Sequence, residues 1–249
     1  MTLLSATGLC KAFGGVRAVD GVSLAVAAGE MVALIGPNGA GKSTCFALLG
    51  GQLRPDAGSV RLDGAQIGGI GARRVARLGV ARTFQTPSVF ASMTVRENVQ
   101  TALLARNGEV WRFGRPAARF HAAEADALLG RVALGGEAAR GAGMLSHGDL
   151  KRLELAVALA AGPRVLLLDE PTAGTALGER AALMRLVRSL AAADGIAVLF
   201  TEHDMDAVFG HADRVLVLDR GRLIAAGTPD AVRADARVQA VYLGGAAAC

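Results

Sequence analysis

Lysine, cysteine and aromatic residues are all scarce in this 249-residue sequence. The three cysteines are isolated, odd in number and without metal-ligand spacing, which excludes a disulfide framework and a cysteine-based metal site. Aromatic residues make up only 4%, and no basic run interleaves with them, as binding of single-stranded nucleic acid would require. Although the formal net charge is +5, we therefore expect no nucleic-acid partner. Because only three residues are lysine, a lysine inside a motif is informative.

Long apolar runs are missing as well. The longest candidate, residues 155–163, lies between Glu154 and Arg164 and is far shorter than the roughly 18 residues of a membrane-spanning helix. The hydrophobic share of 52% includes 50 alanines, so it is weak evidence for a membrane protein. The first residues show no basic segment followed by a long apolar stretch, as a secretory signal peptide has. We therefore expect a chain that does not cross a bilayer and stays in a reducing cytosol.

Short apolar segments bounded by glycine and polar turns alternate with helical periodicity along most of the chain. This alternation is typical of an α/β domain with a largely parallel sheet. From residue 94 to residue 140 the sequence changes to alanine, arginine and glutamate at helical spacing, which predicts a helical insertion. The predicted strands are residues 3–13, 22–26, 30–35, 59–62, 80–84, 165–168, 196–200, 214–218 and 222–225, and the predicted helices outside the insertion are residues 41–49, 148–161 and 178–193, with a small helix near the end.

The most specific motif follows the predicted strand 30–35. Residues 36–43 read Gly-Pro-Asn-Gly-Ala-Gly-Lys-Ser and match the phosphate-binding pattern G-x-x-x-x-G-K-[ST] between a strand and a helix. The glycines let backbone N–H groups surround a polyphosphate, and the positive end of the helix dipole adds to the attraction. We expect Lys42 to reach the β- and γ-phosphates, Ser43 to hold Mg²⁺ and Thr44 to support the phosphates. The predicted nucleotide-binding residues of this loop are Pro37, Asn38, Gly39, Ala40, Gly41, Lys42, Ser43 and Thr44.

An acidic pair ends another predicted strand. Asp169 and Glu170 directly follow the apolar residues 165–168, and two adjacent carboxylates at the end of a buried strand are costly unless they are solvated or bind something. In a protein with a phosphate-binding loop, Asp169 is predicted to hold Mg²⁺ through water. Glu170 is then predicted to polarise the water that attacks the γ-phosphate. The alternative is a simple exit from strand to turn with two solvated acids.

Further motifs resemble the ATP-binding-cassette (ABC) ATPases, and the resemblance covers nearly the whole chain. The segment Leu145, Ser146, His147, Gly148 and Asp149 is similar to the Leu-Ser-Gly-Gly-Gln signature of that family. The resemblance implies that this segment binds the γ-phosphate of the ATP held by a partner subunit, at the N-terminus of a helix. Ser146 with Asp149 three residues on also matches a helix capping box, so the segment can be read as a structural cap as well.

Other site residues are implied by the same resemblance. Gln85 resembles the Q-loop glutamine, which takes part in catalysis and senses Mg²⁺ and water between the core and the helical insertion. His203, after the predicted strand 196–200, resembles the switch histidine that contacts the γ-phosphate and orients the catalytic glutamate. Phe13 resembles the aromatic residue on which adenine stacks, with Val16 and Ala18 as apolar support.

The resemblance also implies a fold and partners. It predicts a P-loop NTPase of the α/β class with a RecA-like core, an antiparallel β subdomain and a helical signature subdomain, in one ABC ATPase domain over residues 1–249. Residues 1–86 and 162–249 would form the core with the β subdomain, and residues 87–161 the helical subdomain. The implied cofactors are ATP and Mg²⁺. Because the signature acts on a partner's ATP, the implied working unit is a dimer with a second ABC ATPase subunit, as a heterodimer or a homodimer.

Local segments narrow the resemblance. Residues 11–19, 81–85, 93–98, 202–205 and 227–244 resemble the larger ATPase subunit of branched-chain amino acid importers. This likeness implies a peripheral subunit at the cytoplasmic side of the inner membrane, beneath two permease subunits that an extracytoplasmic solute-binding protein serves. The form Leu-Ser-His-Gly is shared with the ATPase of urea importers, and the ending Tyr-Leu-Gly with that of lipopolysaccharide exporters. Those systems, and a soluble ABC ATPase such as the iron–sulfur assembly type, are the alternatives.

Two positions depart from the family pattern. Asp149 stands where the signature has glutamine, which adds negative charge beside a phosphate site. Ala176 stands in the D-loop where aspartate or asparagine is common, which removes a polar group at the dimer interface. Either change can weaken one of the two ATP sites.

Overall fold

Two β-sheets and the helices around them organise the chain. We describe a computed structural model of residues 2–83, 89–109 and 120–243. The strands are β1 Thr2–Phe13, β2 Val16–Ala27, β3 Met31–Ile35, β4 Ala57–Leu62, β5 Ala65–Gln66, β6 Val80–Arg82, β7 Val165–Asp169, β8 Ala197–Thr201, β9 Arg214–Asp219 and β10 Arg222–Gly227. The helices are α1 Lys42–Leu49, α2 Ala72–Arg77, α3 Val95–Arg106, α4 Ala122–Arg131, α5 His147–Ala160, α6 Leu177–Asp194, α7 Met205–His211, α8 Pro229–Ala234 and α9 Ala236–Leu243.

The central sheet has the strand order β10-β9-β3-β8-β7-β6. Its neighbouring strands are parallel except for the antiparallel hairpin of β9 and β10. The other sheet, with the order β2-β1-β4-β5, is antiparallel. The predicted α/β fold with a largely parallel sheet is therefore confirmed.

Both faces of the central sheet are buried, which explains why its strands are continuous apolar runs. Along β3, Met31, Ala33 and Ile35 point into a core shared with α3 to α8. The alternate residues Val32 and Leu34 point into a second core, which is shared with α1 and the four-stranded sheet. All five side chains are fully buried. Because successive side chains of a strand point to opposite faces of the sheet, one sheet contributes side chains to two separate cores.

The helical insertion is present in the part of the chain that the structure describes. Within residues 94–140 lie α3, α4 and a single 3₁₀ turn at Gly135–Glu137, and a further 3₁₀ turn at Ala142–Met144 follows. A capping box starts α3, because the Glu97 N–H donates to the Thr94 hydroxyl (3.2 Å) and the Thr94 N–H donates to the Glu97 carboxylate (2.8 Å). Among the described residues, no helix is long and apolar enough to span a bilayer.

Several boundaries differ from the predictions. Strand β2 begins at Val16 rather than residue 22, because it pairs with β1 down to the turn where Phe13 faces Val16. Strand β6 ends at Arg82 rather than residue 84. Helices α2 and α7 were not predicted, because they have only six and seven residues and show little periodicity. Helix α7 forms behind Asp204, whose carboxylate accepts hydrogen bonds from two backbone N–H groups of its first turn.

Candidate active site

Three neighbouring parallel strands end at the same edge of the central sheet. Strand β3 leads into the glycine-rich loop, β7 ends at Asp169, and β8, which lies between them, ends at Thr201. Ligands of open α/β sheets bind at the carboxyl ends of the strands. A cleft opens there, and it is lined by Ala18, Asn38, Gly39, Ala40, Gly41, Lys42, Ser43, Thr44, Glu170 and His203.

The glycine-rich loop leaves the amino end of α1 open. Helix α1 starts behind Gly41, which has a φ of 104° and supplies no side-chain cap. A Cβ atom at Gly41 would lie 2.2 Å from the Ala18 carbonyl oxygen, and one at Gly36 would lie 2.1 Å from the Leu218 carbonyl oxygen. Both positions therefore require glycine. The uncapped N–H groups and the helix dipole make this end of α1 suited to a phosphate.

Lys42 lies within this loop. Its ammonium group donates to the carbonyl oxygens of Gly36 (2.6 Å) and Pro37 (3.1 Å), and the residue is buried. Burial lowers the pKa of Lys42, and the nearby carboxylates of Glu170 and Asp169 oppose that shift. The loop thus holds a desolvated positive charge at the bottom of the cleft, where a polyphosphate would be attracted to it.

Asp169 is held in one orientation by side chains of the two flanking strands. Its Oδ1 accepts a hydrogen bond from the Thr201 hydroxyl (2.8 Å), and its Oδ2 accepts one from Arg82 Nη2 (3.0 Å). The side chains of Arg82 and Asp169 are only 11% and 8% exposed, so this is a buried ion pair. Sequence reasoning missed Arg82 and Thr201 as site residues, since no spacing rule brings residues 82, 169 and 201 together.

Glu170 and His203 meet above the phosphate-binding loop. Glu170 Oε1 lies 2.8 Å from His203 Nε2, within hydrogen-bonding distance. The Glu170 N–H donates to the Thr201 carbonyl (3.2 Å) and hydroxyl (3.1 Å) oxygens. The His203 side chain is 54% exposed, whereas that of Glu170 is 18% exposed. A carboxylate that can accept a proton is thus placed beside an imidazole that is open to the cleft.

The donors available for a divalent cation are hard oxygen ligands. Asp169 offers a carboxylate, and Ser43 offers an exposed hydroxyl in the first turn of α1. Oxygen donors of this kind suit Mg²⁺, which in proteins usually keeps several water ligands and takes its other ligands from substrate phosphates. Gln85, the other predicted contributor, lies outside the described residues.

The predicted adenine platform lies at the tip of the first hairpin. Phe13 ends β1 and is 48% exposed, and Val16 begins β2 and is 69% exposed. The Lys11 ammonium lies 5.7 Å from the centre of the Phe13 ring. Ala18 lies on the same strand as Val16 and lines the phosphate cleft itself. Stacking of adenine on Phe13 stays a prediction.

The signature-like segment caps α5. The Ser146 hydroxyl accepts the Asp149 N–H (3.1 Å) and donates to the Asp149 carboxylate (2.9 Å). The structural reading of this segment as a helix cap is therefore confirmed. Gly148 is buried against α6, where an added Cβ would lie 2.6 Å from a carboxylate oxygen of Glu179. His147 is exposed, and the preceding Leu145 is half-buried.

Fold and site together define a P-loop nucleotide-hydrolysing protein: a phosphate-binding loop, a buried strand-end aspartate and a glutamate–histidine pair lie at one sheet edge. Comparison with known proteins makes the class narrower. The sequence profile of the ABC transporter family matches residues 19–173, and that of the branched-chain amino acid ATP-binding cassette transporters matches residues 222–248.

Curated relatives and solved structures agree with this match. The chain is 40% identical to the high-affinity branched-chain amino acid transport ATP-binding protein BraF of Pseudomonas aeruginosa, over 97% of this chain and 98% of that protein. It is 38% identical to the corresponding protein LivG of Escherichia coli K12, with the same coverage. A nucleotide-free ATP-binding cassette from an ABC transporter superposes with a TM-score of 0.87 at 32% identity, covering 97% of this chain and 99% of the other. An ADP-bound cassette superposes with a TM-score of 0.88 at 33% identity, covering 98% and 99%.

The chain belongs to the ATP-binding subunits of the ABC transporter family. It is accordingly a nucleotide-binding ATPase subunit, which works with permease subunits at a membrane.

Proposed function

We propose that this chain hydrolyses ATP to drive an importer of branched-chain or related amino acids. The similarity of the whole chain to the transport proteins BraF and LivG supports this substrate class, as does the profile match at the C-terminus. The single observation that carries the catalytic part is the Glu170–His203 contact of 2.8 Å beside the phosphate-binding loop. A carboxylate in that place can take a proton from a water that an adjacent imidazole helps to orient.

The residues of the cleft divide the work between them. The backbone N–H groups of residues 38–44 and the Lys42 ammonium hold the β- and γ-phosphates. Glu170 accepts a proton from water as the water oxygen bonds to the γ-phosphorus, the bond to the β-phosphate oxygen breaks, and ADP and phosphate leave. His203 contacts the γ-phosphate and keeps Glu170 oriented. Ser43 and Asp169, with Gln85, would hold Mg²⁺, which when bound supplies positive charge to the phosphate oxygens.

A second ABC ATPase subunit completes each ATP site in this proposal. The signature-like segment 145–149 acts on the partner's ATP, through the N-terminus of α5. Two exposed apolar side chains support a partner at this face: Met144, next to the segment, is 70% exposed, and Leu177, next to Ala176, is 78% exposed. We propose a heterodimer, with Asp149 and Ala176 making the two ATP sites unequal.

The membrane partners would engage the helical part of the chain. We propose that residues 87–161 form a subdomain that receives two permease subunits, while residues 1–86 and 162–249 bind and hydrolyse ATP. The half-buried Val89 and the 53% exposed Phe90 lie at the start of this region and offer apolar surface. The subunit would then lie on the cytoplasmic side of the inner membrane, and an extracytoplasmic binding protein would deliver the solute.

Two variants test the catalytic part. Glu170→Gln keeps the shape of the side chain but cannot accept a proton, so we expect unchanged ATP binding and loss of steady-state hydrolysis. Lys42→Ala removes the buried ammonium, so we expect weakened ATP binding. Binding is measured with a fluorescent ATP analogue and hydrolysis by phosphate release. Glu137→Gln, which changes an exposed carboxylate paired with Arg140, serves as a control and should match the wild type. Wild-type turnover by Glu170→Gln would remove Glu170 as the base.

The solute class needs a cellular assay, because specificity lies in other polypeptides. Deletion of the gene should lower the uptake of radiolabelled leucine, isoleucine and valine, and the wild-type gene should restore it, whereas Glu170→Gln should not. Urea uptake is measured in parallel. Loss of urea uptake with normal leucine uptake would refute the amino acid assignment and leave the ATPase assignment intact.

A further inference from the structure

Glu202 is a buried carboxylate for which the proposed function has no use. The residue is 5% exposed and lies directly before His203. Its Oε1 accepts the backbone N–H of Thr172 (2.7 Å), and its Oε2 lies 3.3 Å from the backbone N–H of His203. Burial raises the pKa of the Glu202 carboxyl, and the two N–H groups oppose that shift. One side chain thus joins the segment after β7 to the segment after β8.

The Glu202–Thr172 hydrogen bond connects the chain segments after β7 and β8, beyond the last backbone pairing of the two strands. The last paired residues are Asp169 and Thr201. Pro171 then has no N–H to offer, and the chain turns away from the sheet. The next N–H belongs to Thr172, which is 2% exposed and needs an acceptor inside the protein. The Glu202 carboxylate supplies it.

The same contact encloses a strained residue. Glu170 has a φ of 51°, in the left-handed region that residues other than glycine rarely adopt. That conformation is sterically unfavourable for a side chain with a Cβ atom and persists only where the neighbouring structure holds it. The Glu170 N–H is held by Thr201, and two residues later the Thr172 N–H is held by Glu202. The strained residue is therefore fixed on both sides, and both anchors come from the end of β8.

A second link connects the same two segments further out. Arg180 of α6 donates from Nε to the Thr175 carbonyl oxygen (3.2 Å) and from Nη1 to Asp204 (3.1 Å). Asp204 follows His203 and caps α7. Beyond the contacts of Glu170 itself with Thr201 and His203, residues 170–175 and 201–204 are thus joined through Glu202 and through Arg180. The Glu202 contact is the buried one of these two and the nearer to Glu170.

We propose that Glu202 is a positioning residue for hydrolysis, whose carboxylate holds residues 170–172 against residues 201–203 so that Glu170 and His203 stay within hydrogen-bonding distance. The proposal rests on the proposed function of Glu170 and His203. It predicts an effect on the rate of the chemical step rather than on nucleotide binding, since Glu202 does not line the cleft.

The test compares Glu202→Ala with Glu202→Gln. Alanine leaves both N–H groups without the carboxylate, so we expect kcat to fall about tenfold or more while the KM for ATP stays within about twofold. The glutamine amide oxygen can still accept the Thr172 N–H, so we expect a smaller fall of about threefold. Glu30→Ala is the matched control, because the Glu30 carboxylate also accepts a backbone N–H at 2.7 Å, from Ala27, but at the start of β3. Its kcat should not change.

Thermal unfolding is measured for each variant, so that a loss of folded protein is separated from a loss of rate. Wild-type kcat in both Glu202 variants overturns the proposal, and so does an equal fall in kcat for Glu30→Ala. A rise in KM in proportion to any fall in kcat also overturns it. If Glu202→Ala does not fold, a wild-type kcat in Glu202→Gln decides against the proposal. Glu170→Gln is assayed in parallel: its full activity would refute the proposed function, whereas its inactivity beside a fully active Glu202→Ala would refute only the present inference.

Discussion

Replacing Thr201 by valine should destabilise the protein although it leaves the packing volume almost unchanged. The Thr201 side chain is fully buried at the end of β8. Its hydroxyl donates to Asp169 Oδ1 at 2.8 Å and accepts the Glu170 N–H at 3.1 Å. Valine keeps the branched shape but offers neither bond, so it isolates the contribution of one hydroxyl group.

The magnitude follows from the two partners of that hydroxyl. A hydrogen bond to a charged group contributes about 1.5–3 kcal/mol. When the Thr201 hydroxyl is removed, Arg82 is the side-chain donor to Asp169 that remains of the two described above. Loss of the hydrogen bond from the Glu170 N–H to the hydroxyl costs less free energy, because this N–H also donates to the Thr201 carbonyl oxygen. We expect a total loss of about 2–3 kcal/mol, which corresponds to a fall in Tm of roughly 5–10 °C for a chain of this length.

Thr201→Ser is the matched comparison. It keeps the hydroxyl and removes one buried methyl group, which costs about 1 kcal/mol, or roughly 2–4 °C in Tm. Unfolding is followed by circular dichroism with EDTA present and no nucleotide, so that ligand binding does not contribute. The expected order of stability is wild type, then serine, then valine. A valine variant as stable as the serine variant or more so would refute the reasoning, because packing would then outweigh the hydrogen bonds.

Three further predictions concern other parts of the chain. Gly41→Ala should abolish ATP binding and destabilise the protein by more than about 3 kcal/mol, because its Cβ would meet a backbone carbonyl at 2.2 Å. Gly39→Ala should have smaller effects on both properties, because a Cβ there has nothing within 4 Å and only the φ of 80° is unfavourable. ATP binding is measured by fluorescent ATP titration and stability by thermal unfolding. Asp213→Asn should lower stability by about 1 kcal/mol at pH 7, where the half-exposed carboxylate pairs with Arg188. Because that pairing lowers the pKa of Asp213, its contribution to stability is fully present above the usual pKa of 3.8 and is lost as the pH falls through the lowered pKa. The difference in Tm between the wild type and Asp213→Asn should therefore disappear in acid, and a difference that stays constant with pH would contradict this prediction. Cys45, whose pKa burial raises to about 12, should resist alkylation at pH 8 until the protein unfolds, and rapid labelling of the native protein in a mass-spectrometric assay would contradict its burial.

Most elements of the central sheet could be predicted because each is a local pattern. The apolar runs that become β3, β7 and β8 are bounded by glycine or polar residues, and the structure moves their ends by only one residue. The short helices α2 and α7 could not be predicted, because six or seven residues carry too little periodicity and depend on caps and packing. The start of β2 was missed for a related reason: its first residues are exposed and are held as strand by pairing with β1.

The glycine-rich loop was determined by the sequence itself. Strand, loop and helix follow one another along the chain, so the spacing of Gly36, Gly41 and Lys42 already dictates which groups surround a phosphate. The cap of α5 by Ser146 and Asp149 is local in the same way and could be read directly. Such features depend on backbone geometry over a few residues, which distant parts of the chain change little.

Only the tertiary structure decided how Asp169 and Glu170 are held. Arg82 reaches Asp169 because β6 lies beside β7, and Glu202 reaches Thr172 because β8 lies on the other side. Strand order is set by how the helical crossovers pack over the sheet, which no short window of sequence contains. Sequence could therefore indicate which residues perform the chemistry, whereas the buried polar contacts that orient them come from neighbours that are distant in the chain and become adjacent only when the sheet forms.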